Sequence, residues 1–81
     1  MLEKLRVKLE EIMDGFGFDA QEIKDYSSIK LEGNIVTVTA EVSYKGLMKI
    51  AEGLDPIIQE VDKNAYFDAE EPGILSAALS N

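Results

Sequence analysis

The stretch Ser28 to Val42, SIKLEGNIVTVTAEV, decides the fold. Ser28 to Leu31 and Ile35 to Val42 alternate apolar and polar side chains with period two, and Gly33-Asn34 between them suits a two-residue hairpin loop with glycine at its first central position. Such a loop fixes the register. It pairs Leu31 with Val36, Ile29 with Val38 and Ser27 with Ala40 on one face, and Lys30 with Thr37 and Ser28 with Thr39 on the other. One face is apolar and one polar, as a sheet covered on a single side requires.

Upstream, the period changes to 3.6. Leu2, Leu5, Leu9, Ile12, Met13 and Phe16 recur at steps of three and four and form one helical stripe, with Val7 opposite it and Arg6 placed to reach Glu10. Gly15 and Gly17 supply a stop. Asp19 and Glu22 have capping-box spacing, which predicts a short helical turn through Lys24.

Downstream, Leu47, Ile50, Ala51, Leu54, Ile57, Ile58 and Val61 mark a second long helix that Ser43 can cap. Gly53 and Asp55-Pro56 predict a break or kink in it between Tyr44 and Asp62, with Asp55 as a fresh N-cap. The last segment, Ala65 to Leu79, folds back at Glu71-Pro72-Gly73. A three-residue loop there pairs Ala69 with Leu75, Phe67 with Ala77 and Ala65 with Leu79 on one face.

The order helix, hairpin, helix, hairpin predicts an α+β, two-layer αββαββ sandwich, in which two helices cover one face of a four-stranded, mostly antiparallel sheet. A crossover from the second strand through the second long helix that lands parallel puts strand four beside strand two, giving the order 3-4-2-1. That is a circularly permuted ferredoxin-like topology, with the first strand moved to the C-terminus. The comparison concerns topology and carries no function.

Composition narrows the function classes. A chain of 81 residues, 46% apolar, makes a single domain over residues 1–81. It has no cysteine for a disulfide framework or thiolate metal site, and no histidine for acid/base work near neutral pH. No apolar run has the length of a membrane span or secretory signal, so the expected location is cytoplasmic, with no cofactor and no membrane partner. Nucleophile elbow, phosphate-cradling glycine loop and HExxH are all missing, and an enzyme is not expected.

Charge is the strongest pointer to a partner. The net charge is −8, and residues 50–81 hold seven acids against Lys63 alone. Phosphate backbones need compensating Lys or Arg, so direct nucleic-acid binding is not expected. The leading expectation is a small acidic, non-catalytic interaction protein that presents Asp55, Glu60, Asp62, Asp68, Glu70 and Glu71 to a basic protein surface. In its sharpest form it is a nucleic-acid-mimicking inhibitor of a DNA- or RNA-binding enzyme, of the anti-restriction or anti-CRISPR type found in viruses. The alternative is a structural or regulatory subunit that forms a homodimer through the open sheet face, using Ile35, Tyr66, Ile74 and Ala78. An ordinary solvated face is the plainer account of the same residues.

Overall fold

A computed structural model describes residues 1–80. The first helix, α1 (Leu2–Gly15), buries Leu5, Leu9 and Met13, while Leu2 and Ile12 pack at its margin. Phe16 lies just beyond the helix and stays 37% exposed, so it leaves the predicted stripe. The stop is a Schellman turn: the Phe18 amide donates to the Met13 carbonyl and the Gly17 amide to that of Asp14. Gly17 takes φ +102°, a conformation open to glycine at little cost. Arg6 approaches Glu3 rather than Glu10, one turn toward the N-terminus, where a carboxylate also meets the helix dipole.

The capping box forms as the spacing predicts. Asp19 Oδ1 accepts from the Glu22 amide at 2.8 Å, and Glu22 Oε1 accepts from the Asp19 amide at 2.9 Å. Helix α2 (Ala20–Tyr26) runs past Lys24 and ends where Ser27 turns extended. Its Ile23 reaches the core.

Strands β1 (Ser27–Glu32) and β2 (Ile35–Ala40) pair in the predicted register throughout, from Ser27 opposite Ala40 to Leu31 opposite Val36. Gly33 has φ +62°. Asn34 does more than turn the chain, because its side chain donates to the Leu79 carbonyl at 2.8 Å and its own carbonyl accepts from the Leu79 amide at 2.8 Å. The first turn is thereby clamped to the chain leaving the last strand.

Helix α3 (Tyr44–Gln59) is unbroken, which corrects the first half of the expected break or kink. It starts at Ser43, whose Oγ accepts from the Gly46 amide at 3.2 Å, and runs through Gly53, Asp55 and Pro56 as one helix. Pro56 has no amide to donate to the Glu52 carbonyl, and Glu52 stands at an exposed position of the helix. Gly53 is a packing position rather than a breaker. A Cβ there would collide with Ile12 Cδ1 and lie 3.7 Å from Lys8 Cε, so the missing side chain leaves room for the end of Ile12 where α1 meets α3.

The second hairpin joins β3 (Asp68–Glu71) to β4 (Ile74–Ala78). Ala69 faces Leu75 as predicted, but the loop is the two residues Pro72-Gly73, with the register shifting between Ala69 and Glu71. A bulge there absorbs the residue that the predicted three-residue loop assigned to the turn. Gly73 has φ +78°, and a Cβ on it would stand 3.0 Å from the Ala40 carbonyl oxygen. Phe67 and Ala65 are buried but lie outside the ladder, so the predicted pairs with Ala77 and Leu79 do not form.

The strand order is β1-β2-β4-β3 with every neighbouring pair antiparallel, which is the predicted 3-4-2-1 read from the other edge. Val36, Val38 and Ala40 of β2 and Leu75 and Ala77 of β4 face the helices and join Leu5, Leu9, Met13, Leu47, Ile50, Leu54 and Ile58 in one core. The helical layer stops short of the first hairpin's tip. Leu31, on the apolar face, remains 40% exposed. Among the described residues no polar side chain is buried, and no helix is long and apolar enough to cross a membrane.

Candidate functional site: an acidic hairpin beside an aromatic end

The six acids singled out by charge divide into two groups. Asp55, half-buried on α3, accepts from the Phe67 amide at 2.8 Å and so ties the approach to β3 onto the helix. Asp62 accepts from the Ser80 hydroxyl at 2.6 Å, the Ser80 amide at 2.7 Å and the Asn64 amide at 3.0 Å. The Ser80 hydroxyl first, then the two amides, hold the Asp62 carboxyl below its ordinary value against a smaller opposing effect of burial. Glu60 pairs with Lys4 at 3.1 Å and links the end of α3 to the start of α1. These three carboxylates are occupied with the protein's own chain.

Asp68, Glu70 and Glu71 differ. All three are exposed on β3, an edge strand, and none has a side-chain hydrogen bond or ion pair among the described residues. Three carboxylates concentrated on one short edge create a local negative potential, and such an edge also resists pairing with another sheet.

The uncovered sheet face is uncharged along its two central strands. Ile35 faces Ala78, Thr37 faces Ser76 and Thr39 faces Ile74, so the two central strands present six uncharged side chains outward. Ile35 and Ile74 are half-buried and Ala78 is exposed. Tyr66 does not belong to that face by strand register, because it precedes β3; it is 58% exposed on the connecting segment. The predicted quartet is therefore a trio plus an outlying tyrosine.

A third surface has no counterpart in the sequence reading. At the end of the sheet where β1 begins and β2 finishes, the chain is pinned on both sides: the Glu41 amide donates to the Tyr26 carbonyl and the Ala40 amide to that of Gly73, each at 2.9 Å. Val42 follows and lines three adjoining concavities. The largest, an open cleft of about 880 Å³, runs between Tyr26, Phe18 and the Pro72-Gly73 turn. A second, of about 290 Å³, has Phe16, Phe18 and Val42 as its apolar lining with Lys45 and Lys49 also at its wall. The third, of about 280 Å³, lies between Val42, Tyr44, Pro72, Glu70 and Glu71. Four of the six aromatic residues of the chain thus border one end of the molecule, with Phe18 and Tyr26 edge to face at 6.2 Å between centroids. Tyr44 is 69% exposed there, more than any other large apolar or aromatic side chain.

The sequence did hold a signal for this end. Phe16, Phe18, Tyr26 and Tyr44 each stand at or next to the boundary of a helix, where a side chain is freed from the core stripe, and aromatic side chains held in concave surfaces are typical of interfaces. Lys45 and Lys49 follow at the i,i+4 spacing on the first turns of α3 and form no ion pair among the described residues. The surface therefore combines aromatic area, one cationic flank and one acidic flank, which suits recognition of another macromolecule. Compared with known proteins, the chain matches no family model, no curated protein and no solved structure.

Proposed function

We propose that this chain is a small acidic, non-catalytic interaction protein that presents its second hairpin to a basic surface on another macromolecule. The observation that carries the reading is the division among its acids. Asp55, Asp62 and Glu60 each bond to the chain itself, whereas Asp68, Glu70 and Glu71 stand on an exposed edge with no ion-pair partner among the described residues. Desolvating such groups is favourable only against Lys or Arg, and their combined field steers a basic partner toward them. A basic site that normally holds phosphates has the required chemistry. Occupying it makes the protein a nucleic-acid mimic and an inhibitor of a DNA- or RNA-binding effector, of the restriction or CRISPR kind.

The test is competition. A fluorescent DNA duplex bound to each member of a panel of restriction and CRISPR effectors is titrated with the wild-type protein and with the triple charge reversal Asp68→Lys/Glu70→Lys/Glu71→Lys. The wild type should displace the duplex from at least one effector, with an affinity that falls steeply as salt rises, and the reversal should abolish displacement. Displacement that survives the reversal overturns the assignment to this hairpin. Failure against the whole panel overturns the mimic.

A further inference from the structure

The two smaller concavities at the aromatic end share Val42 as a lining residue and carry opposite charge. Lys45 and Lys49 line the first, Glu70 and Glu71 the second, and Tyr44 projects beside them. A two-fold axis near Val42 exchanges the two sides. It would set the cationic cavity of one copy against the acidic cavity of the other, twice over. A surface with this property is complementary to itself, which is the condition for an isologous dimer contact.

We infer that the aromatic end is a dimerisation surface whose occupant is a second copy of this chain. Three features favour that occupant over a different protein. The charges are matched within the patch itself, two cations to two anions, so no outside partner is needed to neutralise either flank. The cations stand at i,i+4 on a helix and the anions on a hairpin, so the backbone sets the spacing within each charge pair and the ordering cost falls on the side chains. Each cavity also offers apolar lining beside its charges, Phe16, Phe18 and Val42 in the first and Val42, Tyr44 and Pro72 in the second, so the contact can bury apolar area as well as pair charges.

The dimer goes beyond the inhibitory role and shares only Glu70 and Glu71 with it. In the dimer these carboxylates face Lys45 and Lys49 of the second copy, so dimerisation and capture of a basic partner compete for the same oxygens. Binding would then draw on the monomer, and its apparent affinity would fall as protein concentration rises above the dimer's dissociation constant.

A charge swap tests the dimer separately from the inhibitory role. Sedimentation equilibrium is run on the wild type, on Lys45→Glu/Lys49→Glu, on Glu70→Lys/Glu71→Lys, and on an equimolar mixture of the two double variants. The wild type should dimerise, more weakly as salt rises. Each double variant alone should raise the dissociation constant by at least about tenfold, because attraction becomes repulsion at both symmetric contacts. The mixture should restore the dimer, since every swapped cation then meets a swapped anion. A wild type that stays monomeric at millimolar concentration overturns the inference. So does a dimer that both double variants leave intact, which would assign self-association to another face, such as the Ile35/Ile74 face of the sheet. Lys45→Glu/Lys49→Glu leaves the acidic hairpin untouched, so a loss of dimer with duplex displacement retained separates the two surfaces.

Discussion

Asp55 reaches across twelve residues to accept the Phe67 amide at 2.8 Å, and this bond fixes where the chain enters the second hairpin. Phe67 is 4% exposed, so its amide has little access to water if the carboxylate is lost. Asp55→Ala should therefore cost about 1–3 kcal/mol, the penalty for a buried donor left without an acceptor. Asp55→Asn keeps an acceptor oxygen in place and should cost less. Urea denaturation of the three proteins measures the order, and amide exchange at Phe67 should quicken most in the alanine variant. An alanine variant as stable as the wild type would show the bond to be dispensable.

Asp62 makes a pH-dependent contribution of known sign. Hydrogen bonds from Ser80 and Asn64 favour its charged form, so its folded-state pKa lies below the ordinary 3.8 that it regains on unfolding. The unfolded chain then binds more protons in that region, and stability rises with pH through it. The contribution is complete above pH 3.8 and is lost as pH falls through the lower folded value. Asp62→Asn should be less stable than the wild type at neutral pH, and the gap should close on acidification below 3.8. Urea midpoints across a pH series check this, and a gap that stays constant down to about pH 2 would assign the loss to packing rather than charge.

Much of the architecture was legible because it rests on local rules that repeat. The Gly33-Asn34 loop and strict alternation fixed every pair of the first hairpin, and the Asp19/Glu22 spacing fixed the start of α2. What local rules missed were positions whose use depends on a distant neighbour. Asp55 next to Pro56 reads as a helix start, but its carboxylate is taken by Phe67, and the helix continues. Glu71-Pro72-Gly73 reads as one loop, but the bulge at Glu70 moves a residue into the strand. The same limit applies to the site. Counting charge gave all six acids equal standing, and only folding separates those bonded to Ser80, Phe67 and Lys4 from those facing solvent. The aromatic end is less legible still, since Phe16, Tyr26 and Tyr44 are far apart in sequence and come to border one end only where elements begin and end.

Gly53 offers the clearest test of helix packing. Alanine in place of glycine within a helix normally gains about 1 kcal/mol, so propensity alone predicts that Gly53→Ala stabilises α3. Here the new methyl would occupy the position held by Ile12 Cδ1, with Ile12 Cγ1 at 3.5 Å behind it, so the gain is offset by displacement of that side chain. Ile12→Val removes the colliding atom and by itself should cost about 0.5–1.5 kcal/mol, as a lost methyl group does. In the presence of Gly53→Ala the same substitution should cost less or even stabilise, because it clears the space the alanine needs. The double variant should therefore exceed the sum of the two single changes by about 0.5 kcal/mol or more, a coupling expected of residues in contact. Urea denaturation of the four proteins of the cycle gives that coupling directly. Additivity within about 0.3 kcal/mol would mean that Ile12 yields without cost and that α1 and α3 do not depend on the glycine for their approach.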